Sequence, residues 1–419
     1  MMKTMEILPG VILNCCRDTR FKQGCLSLQL VRPVKAEESA MNALLPSVLM
    51  GGSRRCPDLR RITQHLDLLY GASISPLSRR VGDYQTLGLY CGFMDDRFAL
   101  PGDQVLAPVI EFMGELLLDP ALEHGKFLDR ILDTEKKNLI SAIESERNDK
   151  RIYASNQMLS HMCKGDTYGL PRMGTVEQVE AITAQTLYEH YQTVLRESPV
   201  HILYAGSAQP EDIARMLKDL LSPLVRAPFA LPEQTAFHGN GGGEITELMD
   251  VSQAKQCMGF TTPITNRSPE FPAMQLCNTV FGSGMTSKLF TNVREKLSLC
   301  YSVGSAYYGG KGIIAVAAGI DAAKQEQARS EILRQLEACR QGQITDQELE
   351  AARQTLMSSL RSVHDSPGAI ESYYATARLS GMGMDPFRYM EALGQVTARQ
   401  VVEAANTVSL HTQYVLKGE

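Results

Sequence analysis

The clearest local pattern is Cys25-Leu-Ser-Leu-Gln-Leu-Val31, where apolar and polar residues alternate as on a half-buried β-strand. Its counterpart later in the chain is Ala254-Lys-Gln-Cys-Met-Gly-Phe260. A predicted helix follows each, Glu37–Met50 and Pro269–Phe281, and each is ended by glycines that can adopt positive φ. Next come second strand regions, Gln85–Gly92 and Tyr301–Ile320, and then long charged helices, His124–Arg147 and Asp346–Ser362. Thr183 and Thr397 fit as N-caps of late helices, since their hydroxyls can accept orphan backbone N–H groups. His201–Gly206 and Thr412–Leu416 read as short closing strands. The predicted fold class is α+β: a mixed, mainly antiparallel sheet with helices on one face, used twice.

Direct matches support the duplication. Leu139-Ile-Ser-Ala-Ile-Glu-Ser145 aligns with Leu356-Met-Ser-Ser-Leu-Arg-Ser362, and Ile182-Thr-Ala-Gln-Thr-Leu187 with Val396-Thr-Ala-Arg-Gln-Val401. Gly51-Gly-Ser and Tyr70 align with Gly282-Ser-Gly and Tyr301, and Asp95–Pro108 reads as an insertion in the first half. The period is too long for a solenoid. Pro223, Pro228, Pro232, Gly239 and Gly241-Gly-Gly243 interrupt regular structure between the halves. The expected domains are therefore 1–225 and 244–419, joined by a linker over 226–243.

Composition narrows the function classes. A chain of 419 residues with 44% hydrophobic and 21% charged residues is ordinary globular material. A net charge of -5, no Trp and 6% aromatics argue against a nucleic-acid binder. No long apolar run suggests a membrane span. Glu6 and Pro9 interrupt what would be the apolar core of a signal peptide. The ten cysteines are scattered and never form Cys-x-x-Cys, which suits reduced thiols in a cytoplasmic protein.

One segment carries candidate chemistry: Arg294-Glu-Lys-Leu-Ser-Leu-Cys-Tyr301-Ser302, just after Gly282-Ser-Gly-Met. With the order of elements, it resembles the insulinase, pitrilysin and mitochondrial processing peptidase family over about residues 7 to 415. The resemblance implies a heterodimer whose chains carry two homologous domains each. Active members hold zinc with H-x-x-E-H on the first helix of the N-terminal half, and a later glutamate completes the cage. Here those positions match Ala43, Pro46 and Ser47, with Ala142 at the later ligand position. None can coordinate zinc, so no metal, no cofactor and no independent catalytic residue are expected. Arg294 and Tyr301 match the family's substrate-binding arginine and tyrosine. An arginine can donate to peptide carbonyls, and a tyrosine hydroxyl to a developing oxyanion.

The resemblance thus implies a zinc-free subunit that brings Arg294 and Tyr301 to the zinc site of an H-x-x-E-H homologue, or else self-pairs, with peptide as substrate. The segments Glu135-Lys-Lys-Asn-Leu and Asp149-Lys-Arg-Ile-Tyr-Ala are similar to a bacterial non-zinc subgroup associated with elongation factor P modification. The runner-up is a non-enzymatic scaffold or peptide-binding protein on the same fold, in which Arg294 and Tyr301 are relics. Other features keep plain readings. Glu123-His124 and Glu189-His190 lack a first zinc ligand, Gly282-Ser-Gly284 is a tight turn, and Arg54-Arg55 and Arg60-Arg61 form a solvated basic cluster.

Overall fold

A computed structural model describes residues 2–239 and 242–418. Asn240 and Gly241, part of the glycine-rich run assigned to the linker, lie outside the described residues. In the first half the strands are β1 (Met2–Leu8), β2 (Val11–Arg17), β3 (Gln23–Pro33), β4 (Ser73–Val81), β5 (Tyr84–Met94), the two-residue β6 (Leu122–Glu123) and β7 (Lys126–Phe127), and β8 (Val200–Gly206). Its helices are α1 (Ser39–Leu49), α2 (Leu59–Leu68), α3 (Leu106–Leu118), α4 (Asp129–Asn148), α5 (Lys150–Met162), α6 (Val176–Ala181), α7 (Ala184–Glu197) and α8 (Pro210–Leu221). The second half adds β9 (Glu244–Leu248), β10 (Ala254–Thr261), β11 (Cys300–Tyr308), β12 (Ile313–Ile320) and β13 (Ser409–Lys417). Its α-helices are α9 (Phe271–Phe281), α10 (Gln325–Arg340), α11 (Asp346–Ser362), α12 (Pro367–Leu379), α13 (Pro386–Gln395) and α14 (Ala398–Asn406), with a π-helix over Leu289–Lys296.

The strand orders display the duplication. One sheet runs β1-β2-β8-β3-β5-β4 and the other β11-β12-β10-β13-β9. Apart from the extra β1, the second is the first read from the opposite edge. In both, the closing strand pairs parallel to one neighbour and antiparallel to the other. The predicted strands at Cys25–Val31 and Ala254–Phe260 form β3 and β10. The predicted caps also form: Thr183 and Thr397 each close a capping box, with Thr186 and Gln400. The helix expected from His124 begins only at Asp129, because His124 and Gly125, at φ 51 and 78, make the tight turn between β6 and β7.

The compact units trade segments rather than following one cut. The first comprises Met1–Ile143, Pro171–Glu233 and Val363–Leu379; the second comprises Glu144–Leu170, Gln234–Ser362 and Ser380–Glu419. In the first unit, α1, α3 and α7 cover one face of the sheet, around Leu26, Leu28, Leu87 and Leu89. The second-half helix α12 covers the other face, where Ile370 packs on Cys25, Leu203 and Ala205. Its Glu371, 1% exposed, takes a two-pronged ion pair from Arg79 at 2.7 and 2.9 Å and a bond from Gln29 at 3.2 Å. The second unit mirrors this with α5, whose Ala154, Met158 and Met162 pack on Cys257, Tyr414 and Leu416. Gly259 lets α5 approach, since an added Cβ would lie 2.4 Å from the Met162 Sδ. Helices therefore dominate one face of each sheet, and one exchanged helix closes the other.

Candidate functional site

In the first unit, Ala43, Pro46 and Ser47 all lie on α1. Ala43 and Ser47 are one turn apart, the spacing at which two side chains could share a ligand, but a methyl and a hydroxyl hold no metal. Pro46 is inside the helix and has no N–H for the Asn42 carbonyl. Ala142 is an exposed position of α4. Among the described residues, no group of three or more His, Cys, Asp or Glu is placed to hold a metal ion. What fixes α1 is a buried amide network. Asn42 donates to Gln85 at 3.1 Å and accepts from His190 Nε2 at 2.8 Å, while Gln85 donates to the Ser39 carbonyl at 3.2 Å. Burial holds the His190 pKa down at about 4, so its ring is neutral. The Glu189-His190 pair is thus structural, while Glu123 and His124 are both exposed.

The second unit presents its candidate residues quite differently. Arg294 sits near the end of the π-helix, a form that recurs at functional sites. Its guanidinium carbon lies 4.6 Å from the centre of the Phe290 ring, and its Nε is 3.7 Å from Glu295. The chain leaves the helix through Ser298, a non-glycine residue at φ 48 whose carbonyl accepts from Lys324 Nζ at 3.0 Å. It then enters the edge strand β11 with a register shift: Cys300 pairs with Ile320 and Ser302 with Gly319, which leaves Tyr301 as the extra residue of a β-bulge. Bulges re-aim side chains, and Tyr301 is 68% exposed. Its neighbour Cys300 is buried, which pushes that thiol up to about 11, with Arg294 pulling the other way. Cys300 is thus a packed thiol whose ionised form is disfavoured.

Glycine geometry supports this arrangement. The Gly282 carbonyl accepts from the Ser305 N–H of β11 at 2.9 Å. A Cβ on Gly282 would lie 2.6 Å from Ser305 Oγ and 2.7 Å from Leu289 Cδ1. Gly284, at φ 121, completes the turn into the helix. The Gly282-Ser-Gly284 segment is therefore a seam between α9 and β11. Phe290 and Glu295 drew no role from the sequence, although the i, i+4 spacing of Phe290 and Arg294 was a readable signal. Of the basic cluster, Arg54 pairs with Asp119 at 2.8 Å and Arg55 with Glu115 at 2.5 Å. All ten cysteines are buried. No helix among the described residues is long and apolar enough to cross a membrane.

Residues 181–356 match the model of the peptidase M16 inactive domain family. A protein of Bacillus subtilis described as a probable inactive metalloprotease is 26% identical over 98% of this chain and 96% of its own length. A conserved protein from Enterococcus faecalis has a crystal structure that superposes with a TM-score of 0.92 at 26% identity, covering 100% of this chain and 99% of that one. A peptidase M16 inactive domain from Pseudomonas fluorescens shares the fold, with a TM-score of 0.81 at 17% identity over 100% of this chain and 98% of its own. Residues 181–356 thus resemble the peptidase M16 inactive domain, and the chain over nearly its whole length is similar to a relative described as a probable inactive metalloprotease.

Proposed function

We propose that this chain is the peptide-gripping, zinc-free subunit of a two-chain metallopeptidase. A homologue bearing H-x-x-E-H supplies the metal, and this chain supplies Arg294 and Tyr301. The observation that carries the reading is the contrast between the two units. On α1 the matching positions are Ala43, Pro46 and Ser47, which offer zinc nothing. The arginine–tyrosine segment keeps its special backbone: a π-helix under Arg294, a left-handed Ser298, and a bulge that presents Tyr301 to solvent. Both residues thus sit on irregular backbone, of a kind that clusters at functional sites.

In this reading Arg294 donates to substrate carbonyls, and the Tyr301 hydroxyl donates to the oxyanion that forms as the partner's water attacks. The complex works in the cytoplasm. The test is cleavage of an internally quenched peptide by this chain mixed with an H-x-x-E-H homologue. Tyr301→Phe is expected to lower kcat roughly tenfold to a hundredfold with little change in KM. An unchanged rate for Tyr301→Phe refutes the complementing role and leaves the fold as a scaffold. Hydrolysis by this chain alone refutes the reading altogether.

A further inference from the structure

We propose that Phe290 is a positioning residue whose ring holds the Arg294 guanidinium in its peptide-binding orientation and away from Glu295. The inference rests on the reading of Arg294 as a peptide contact, and goes beyond it by assigning what aims that side chain.

Three observations carry it. First, Phe290 belongs to the π-helix but not to the core. Leu289 and Val293 are fully buried, whereas Phe290 is half-buried on the same flank as Arg294. Second, Arg294 is half-exposed, and the one other group within ion-pair reach of it among the described residues is Glu295, at 3.7 Å. That is longer than a direct charged hydrogen bond. The guanidinium thus stands over the ring, 4.6 Å from its centre, with its donors unspent. A cation over an aromatic face keeps its in-plane N–H groups available, whereas a closed ion pair with Glu295 would consume them.

Third, the backbone beneath this pair is pinned. Lys288, ahead of the helix, is 8% exposed and pairs with Glu348 at 2.8 Å. Ser287 Oγ donates to the Gly284 carbonyl at 2.7 Å and accepts from the Phe290 N–H at 3.3 Å. Asn292 donates to Gln335 at 2.9 Å, and Lys324 clasps the Ser298 carbonyl. With the main chain fixed, the direction of Arg294 depends on a choice between two neighbours, the ring of residue 290 and the carboxylate of residue 295.

The experiment uses the full chain and fluorescein-labelled β-casein, an unstructured polypeptide, titrated by fluorescence anisotropy. Arg294→Ala sets the scale and is expected to weaken binding by roughly tenfold. Phe290→Leu is expected to weaken binding by roughly fivefold at an unchanged thermal midpoint, while Phe290→Tyr stays within about twofold of the native chain. Adding Glu295→Gln to Phe290→Leu should recover most of the loss, which a mere packing role would not produce. The Arg294 Nε–H resonance, identified by its absence in Arg294→Lys, should carry a ring-current shift that Phe290→Leu abolishes and Phe290→Tyr keeps. If the native chain does not bind, or Arg294→Ala binds as tightly as it, the underlying reading falls. If Arg294→Ala weakens binding but Phe290→Leu does not, or Glu295→Gln rescues nothing, only the positioning role is overturned.

Discussion

Mild acid should loosen the first unit through two histidines, the buried His190 and the half-buried His201. Burial holds both pKa values down at about 4 against an ordinary 6.5, and Arg378 adds to the effect at His201. Arg32 and Lys35 further disfavour a charge on His190, and Glu38 opposes them. The unfolded chain therefore binds protons that the folded one refuses, so stability falls as pH drops through the window from 6.5 to about 4 and is fully present above it. Taking the stability from about pH 7.5 to about pH 5, each ring costs about 2 kcal/mol, or about 4 kcal/mol together. Carboxylates whose pKa values are lowered, such as Glu38 and Glu348, start from 4.5, so most of their contribution is lost below the pH 5 limit of this comparison. The chain has no Trp, so the assay is urea unfolding followed by far-ultraviolet circular dichroism at both pH values. His190→Gln with His201→Gln should be less stable at neutral pH, because cavities and an imperfect bond to Asn42 remain, yet nearly flat with pH. A native midpoint that does not move, or a double variant with the native slope, refutes the linkage.

Glu371→Ala should cost about 2 to 4 kcal/mol in the same unfolding assay. It strands Arg79 and Gln29 beneath α12, though the partial exposure of Arg79 softens the loss; a change below about 0.5 kcal/mol would show that the pair does not hold the helix. Metal analysis of the purified chain should find less than stoichiometric zinc. The variant Ala43→His, Pro46→Glu, Ser47→His, Ala142→Glu should gain it, and a folded variant that stays empty refutes the residue placement on α1 and α4. Gly282→Ala should destabilise by about 1 to 3 kcal/mol, since its Cβ has no room beside Ser305 and Leu289. A neutral result in thermal melts would mean that the seam between α9 and β11 yields.

Much of this protein could be read one residue at a time. The alternation at Cys25–Val31 marks β3 because side chains on a strand alternate faces wherever it packs. Thr183 and Thr397 cap helices because a hydroxyl three residues from an orphan N–H is a local fact. The type of residue at positions 43, 46, 47 and 142 bears on zinc without any coordinates, since methyl, pyrrolidine and hydroxyl groups are not its ligands. The turn at His124-Gly125 was just as local but was hidden inside a charged stretch that suited a helix. Other features have no local signature. Glu371 meets Arg79 across 292 positions of chain, and nothing in either segment announces that α12 crosses to the first unit while α5 serves the second. The bulge at Tyr301 lies in the pairing of β11 with β12, and the π-turns under Arg294 and the ring of Phe290 beneath its guanidinium appear only in the folded chain. Periodicity and capping depend on near neighbours, so sequence alone determined them. Register, exchange and the aim of a side chain depend on which distant surfaces fit together, and only the folded packing decided those.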